Sequence, residues 1–211
     1  MTPSKILWAS VANVVHADRE IAALRRSLED MLKGMKSVQR CEHTRTWDKL
    51  VSEPEGLVDT YWYEVYELFR RPTRGPAPSM GTLTVAYSLW REEDMVEGSW
   101  IGARQAKLYV GFDPGRFKAD QYWVDDLCLD GSGSPLNEGM VAVAPCLWEH
   151  DPKPSGVPLT SRSWFFCVPL DAINSSEDLS REIVSPLDRI LGGDAPERAF
   201  SETKDVFRSV A

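Results

Sequence analysis

The sequence predicts an α+β domain, a single antiparallel sheet of about six strands in a meander packed by an N-terminal amphipathic helix and C-terminal helices. Three observations predict it. Thr82–Trp90 and Gln105–Phe112 alternate apolar with polar residues along their whole length, and a period of two marks a strand with one buried and one wetter face. Ile21, Leu24, Leu28, Met31, Leu32 and Met35 instead recur at helical spacing. Helical patterns stand at the two ends of the chain with strand patterns between them, and no βαβ alternation occurs. That order excludes a dinucleotide-binding fold.

Taken in order, Lys5–Val15 is apolar and β-branched enough to read as an edge strand, with a helical start as the alternative. Asp18 then reads as an N-cap. The stripe from Ile21 to Met35 follows, with Arg25, Arg26, Glu29 and Asp30 on the opposite side and Gly34 where the helix can stop. Ser37–Asp59 has no sustained period and holds Cys41, His43, Trp47 and Pro54. It reads as a long connection with a helical turn near Trp47–Val51, and connections of that length are often functional.

The strand candidates are Tyr61–Arg70, Thr82–Trp90, Gln105–Phe112, Gln121–Leu129, Met140–Trp148 and Ser163–Leu170. Tyr61–Phe69 has aromatics on both alternating faces, which fits a strand covered on both sides or one that meets a partner. Arg71–Pro78 carries three prolines, which lack the donor a ladder needs, and reads as a hairpin arm. Arg91–Gly98 is an acidic loop. Asp113-Pro114-Gly115, Asp130–Gly139 and Asp151–Pro158 read as turns and exposed connections. Pro145 and Pro169 are expected to bulge or end the last two strands. Ser175-Ser176-Glu177-Asp178 opens a helix with the stripe Leu179, Ile183, Leu187, Ile190 and Leu191, bent or split at Pro186 and stopped by Gly192-Gly193. A short second helix follows, docked through Phe200 and Val206.

The 211 residues are most simply one domain, 1–211, with the N-terminal helix at about 18–36, the sheet at about 61–170 and the C-terminal helices at about 176–210. Hydrophobic content of 43% and charged content of 27% are those of a soluble globular protein. No apolar run approaches the ~20 residues of a membrane helix, and no secretory signal is expected. A net charge of −8 argues against nucleic acid and against an anionic membrane surface, and favours a basic protein partner. Cys41, Cys128, Cys146 and Cys167 lie far apart, three of them in predicted strands. They read as small buried apolar groups in a reduced, cytoplasmic compartment.

The residues offer three enzymatic readings. Cys41, His43, Cys146 and His150 would make a Cys2His2 metal set, although their spacings match no standard zinc pairing. The same residues offer a thiol nucleophile with a histidine base, oriented by Asp151. Asp94, Gln105 and Lys107 echo the acidic-then-(E/Q)-x-K arrangement of Mg²⁺-dependent nucleases, with Gln105 and Lys107 on one side of a strand. Asp125 and Asp126 are neighbours on a strand and face opposite ways, so they do not share a site. Gly131–Ser134 is no phosphate loop. No cofactor is expected.

The remaining signal is a surface one. Eight tryptophans are many for this length. Trp90, Trp100 and Trp148 at strand ends, together with Glu92, Glu93 and Asp94 of the acidic loop, would form an aromatic patch ringed by carboxylates. The sequence therefore favours a non-enzymatic protein-binding role. An acidic inhibitor of a basic partner, of the bacterial immunity-protein or antitoxin kind, fits that profile. A metal-dependent hydrolase or nuclease-like enzyme is the alternative. A second is a self-associating structural subunit joined through the aromatic strand, which leaves a homo-oligomer open.

Overall fold

The computed structural model describes residues 3–49, 61–72, 74–88, 106–115, 140–150, 152, 154, 156–206 and 208. Seven strands within them form one antiparallel sheet. They are β1 (Arg40–Lys49), β2 (Tyr61–Phe69), β3 (Ser79–Ser88), β4 (Lys107–Asp113), β5 (Met140–Ala144), β6 (Leu147–His150) and β7 (Trp164–Pro169). Their order is β1-β2-β3-β4-β7-β6-β5, a four-strand meander joined at β4 to a returning three-strand meander. The long helix α1 (Pro3–Lys33) precedes the sheet. Helices α2 (Ser176–Leu179), α3 (Ser185–Leu191) and α4 (Pro196–Ala199) follow it. The class is α+β, as the sequence predicts.

Two expectations near the N-terminus are corrected. The segment at 5–15 is not an edge strand but the first half of α1, a helix of 31 residues and about 46 Å. β-Branched residues weaken helix propensity only slightly, and extending a helix that the Ile21–Met35 stripe already anchors adds one hydrogen bond per residue fixed. The connection at 37–59, in turn, contains β1, and Trp47–Lys49 are strand rather than helical turn. Its sequence RCEHTRTWDK hides the period because an edge strand carries charge on most positions. β1 pairs with β2 from Arg40↔Phe69 to Lys49↔Tyr61, with Thr44 as an extra residue between His43↔Tyr66 and Arg45↔Val65. The Thr44 hydroxyl donates to the Val65 carbonyl at 3.0 Å.

The core shows which side the helices take. Leu28, Leu32 and Met35 pack with Tyr66, Leu68, Leu83, Val85, Tyr87, Leu108, Val110 and Phe112, and with Trp164, Phe166 and Val168 of β7. Leu179, Ile183, Leu187, Ile190, Phe200 and Val206 join the same cluster, and Phe166 meets Phe200 edge-on at 5.2 Å. Alternation along β3 and β4 predicts a wetter opposite face. That face is instead buried too: Thr82, Thr84 and Ala86 of β3 and Lys107, Tyr109 and Gly111 of β4 are all inaccessible. Threonine, alanine and glycine look polar or neutral in sequence, yet they pack on a covered pleat.

Prolines and glycines punctuate the strands where backbone donors or space run out. The predicted strand at 140–148 is two strands, turned at Pro145-Cys146. Pro169 closes β7 opposite Lys107. Gly81 follows a bulge at Met80, with φ at +143°. A Cβ there would collide with the Asp113 carbonyl oxygen and lie 2.8 Å from Pro114 Cα. Ser175 caps α2 by accepting from the Asp178 N–H at 3.1 Å, while its hydroxyl donates to Asp178 Oδ2 at 2.7 Å. Pro186 stands in the first turn of α3, directly after a π turn. It lacks the N–H that would reach Glu182, and the turn before it, Ser180–Val184, widens to π geometry.

The loop after α1 is tied to α3. Asp188 accepts the Ser37 N–H at 2.7 Å and the Lys36 N–H at 3.1 Å. Among the described residues no helix is long and apolar enough to cross a membrane.

Candidate functional site

The sheet order decides the metal reading. Cys41 and His43 sit on β1 at one end of the strand order, whereas Cys146 and His150 belong to the β5–β6 hairpin near the other. β1 and β6 are five strand spacings apart, about 24 Å at the ordinary ~4.8 Å per spacing. Four ligands of one zinc must all lie within ~2.3 Å of it. The strand order thus separates the two pairs and speaks against the alternative Cys2His2 reading. Among the described residues no three His, Cys, Asp or Glu side chains gather to hold a metal.

The thiols are also unlike nucleophiles. Cys41, Cys146 and Cys167 are all buried, as small apolar groups are. Burial pushes the Cys41 thiol up to about 12, against a smaller opposing pull from Lys33. Burial raises the Cys146 thiol as well, with Arg208 opposing. An activated cysteine needs the opposite shift. His43 is exposed at the rim of β1 with its ring edge-on to Tyr66 at 5.3 Å.

Of the nuclease-like set, Asp94 and Gln105 lie outside the described residues. Lys107 is described, and it is 3% exposed on β4 rather than on a solvated strand face. Of the aromatic patch, Trp90, Glu92, Glu93, Asp94 and Trp100 lie outside the described residues, as do the predicted strand at 121–129, Asp125, Asp126, Cys128, Asp151 and the segment at 131–134. Trp148 is described, and its placement corrects the expectation. It is fully buried, pairs with Phe165 across β6 and β7, and stacks on that ring at 5.7 Å. It is core, not patch. Tyr63 and Tyr66 of the aromatic strand are buried likewise, and β2 is paired on both sides by β1 and β3. The Tyr63 and Tyr66 rings are thus part of the interior of the chain.

What the fold does bring together is a polar layer between α1 and the sheet. Glu64 lies in the middle of β2, 5% exposed, on the face that α1 covers. Its Oε1 accepts from Arg25 Nε at 2.9 Å and Nη2 at 2.7 Å, and its Oε2 accepts from the Tyr66 hydroxyl at 2.9 Å. Burial, then the Glu64 charge, drives the Tyr66 hydroxyl far above the usual phenol range, and the same two causes raise Tyr87. Neither phenol is poised to give up a proton near neutral pH. Toward solvent, Lys33 donates to Glu29 at 2.6 Å, which lowers the Glu29 carboxyl and raises the Lys33 ammonium.

The sequence pattern reads Arg25 onto the outer side of α1, but at four residues after Ile21 and three before Leu28 it flanks the apolar stripe, and it reaches inward with its side chain 28% exposed. The available signal was Glu64, a carboxylate inside an otherwise apolar strand, which needs a partner when buried. A second such pair, Glu149 with Arg162 at 3.2 Å, lies near the β5 end of the sheet, with Glu149 1% exposed. Both clusters spend their charges on each other.

No family model, no curated protein and no solved structure matches this chain.

Proposed function

We propose that the chain is a non-enzymatic protein-binding module whose acidic surface engages a basic protein, an inhibitor of the immunity or antitoxin kind. The observation that carries the reading is the net charge of −8, which steers a basic partner and repels nucleic acid. Two features of the geometry support it. The Cys41/His43 and Cys146/His150 pairs lie on strands far apart in the sheet order, and burial raises both the Cys41 and the Cys146 thiol. The buried carboxylates Glu64 and Glu182 are saturated by arginine, tyrosine or backbone donors, as structural groups are.

The binding face assigned by the sequence is Trp90, Glu92, Glu93, Asp94 and Trp100, now without Trp148. The test isolates the full chain gently from its host, identifies the co-purifying protein by native mass spectrometry and measures its affinity by calorimetry. A basic partner whose binding weakens steeply with salt, and fails for Trp90→Ala/Glu93→Gln/Trp100→Ala with folding intact, supports the reading. Retained affinity in that variant sinks the face. A stoichiometric metal and no partner sinks the class.

A further inference from the structure

Helix α1 outruns the sheet it packs on. Its C-terminal end lies at the Phe69 end of β2, where the Gln39 N–H donates to the Phe69 carbonyl at 2.8 Å. Arg25 is paired with Glu64, three residues from the other end of that strand at Tyr61. Lys49 of β1 pairs with Tyr61, Tyr61 with Ser88 of β3, and Ser88 with Lys107 of β4, so these strands begin or end together there. Beyond Glu64, β2 runs for only ~10 Å at ~3.4 Å per residue. From Arg25 back to Pro3, α1 runs for about 33 Å at ~1.5 Å per residue. Roughly fifteen residues, from Pro3 to about Asp18, therefore project past the described strands. At the root of the projection His16, Arg19 and Glu20 are exposed.

The projecting half repeats the pattern of the docked half. Leu28, Leu32 and Met35 are buried against the core. Upstream of Leu28 the same alternation of three and four residues passes Arg25 and continues through Ile21, Asp18, Val14, Val11 and Leu7. That is the repeat of a helix built to pack along a second helix. Each half also sets one charge in or beside the stripe. In the docked half it is Arg25, which meets the opposite charge of Glu64 across the interface. In the projecting half it is Asp18, seven residues earlier, which the sequence suggests as an N-cap but which stands in mid-helix.

Asp18 selects the occupant. A second copy of the chain, paired stripe to stripe, would set Asp18 against Asp18 if parallel and against an apolar residue if antiparallel. Either way a carboxylate loses water and gains no cation. A helix with one arginine or lysine in its apolar stripe satisfies Asp18 as Glu64 satisfies Arg25, and the net charge of −8 steers a basic partner towards it. We propose that the projecting half of α1 is a docking face for an amphipathic helix of a basic protein, with a single arginine or lysine of that helix opposite Asp18. The proposal rests on the protein-binding reading above and gives it a second face, a helix laid along a helix.

The probe is a synthetic peptide of about three heptads, with leucine at the stripe positions save one central arginine, and lysine and glutamine elsewhere. Its affinity for the full chain is read by fluorescence anisotropy. Val11→Gln/Val14→Gln and, separately, Asp18→Arg should each weaken binding at least tenfold, while Glu20→Gln, at an exposed position, should change it less than twofold. A peptide with glutamate in place of the arginine should reverse the preference and favour the Asp18→Arg chain. The Val11→Gln/Val14→Gln chain should keep the urea midpoint of the unmodified protein, because both positions lie beyond the sheet. A lowered midpoint would show that the chain's own residues cover the stripe and would overturn the proposal. So would equal affinity for every variant, or a dimer of the chain that the double substitution dissolves. A partner isolated from the host could bind the Val11→Gln/Val14→Gln chain undiminished yet fail on Trp90→Ala/Glu93→Gln/Trp100→Ala. That result sinks this face and leaves the protein-binding reading standing.

Discussion

Arg25 of α1 donates through both Nε and Nη2 to a single carboxylate oxygen of Glu64, leaving the other oxygen to the Tyr66 hydroxyl. The contact links residues 39 apart in sequence and ties α1 to the sheet by an ion pair. It fixes where along its length the helix docks, because an arginine fork has far less tolerance for sliding than a leucine stripe.

Arg25→Met strands the Glu64 carboxylate with one neutral donor, and it should cost about 2–4 kcal/mol in urea denaturation. The double variant Arg25→Met/Glu64→Met removes both charges and should cost less than the single one. A double-mutant cycle with no coupling would show that the pair contributes no more than a surface bridge.

Trp148→Ala should destabilise by about 3–5 kcal/mol, as loss of a buried aromatic does. Partner affinity measured well below the melting temperature should be unaffected. A binding defect without a stability defect would return Trp148 to the surface patch.

Gly81→Ala should cost about 2 kcal/mol or more, since the new methyl meets the Asp113 backbone in a conformation L-residues rarely adopt. Gly75→Ala is the control. Gly75 also has positive φ, at +77°, but nothing lies within 4 Å of the added carbon, so only the ~1 kcal/mol left-handed cost applies. Thermal melts separate the two.

Stability should fall as pH rises from about 9 towards 12. Cys41 has its folded-state value raised from 9.0 to about 12, and Tyr66 and Tyr87 are raised too. Below the unfolded value both states hold the proton and nothing is lost. Between the two values only the unfolded state releases it, so unfolding gains. Cys41→Ala should shallow the decline in urea midpoints across this range. An unchanged slope would mean that the thiol is not desolvated.

The fold was legible wherever one periodicity acted alone. The Leu24–Leu28–Leu32 stripe, the apolar core face of β3 and β4, the helix opened at Ser175–Asp178 and the docking residues Phe200 and Val206 stand where the sequence puts them, while the other face of β3 and β4, read as wetter, is buried. β1 was hidden because charges occupy both of its faces, and the first half of α1 because Ile, Val and Trp suit strand and helix alike. The polar layer was hidden for a different reason. Arg25 flanks the apolar stripe, four residues after Ile21 and three before Leu28, but a charged side chain at a stripe's edge reads as solvated until its buried partner Glu64 is known. The separation of Cys41 from Cys146 depends on strand order, which no local pattern encodes.

The joint between the two meanders has a consequence for how the chain is made. β1 to β4 can pair as soon as Asp113 has been synthesised, but the partner of β4 is β7, which ends the return from the other edge. At 5–20 residues per second, the roughly fifty intervening residues keep the ribosome busy for about 3–10 s. Throughout that interval β4 waits with one row of amides and carbonyls unclaimed beside Leu108, Val110 and Phe112. During that interval β4 is the exposed edge of the sheet, the position that invites pairing with another chain.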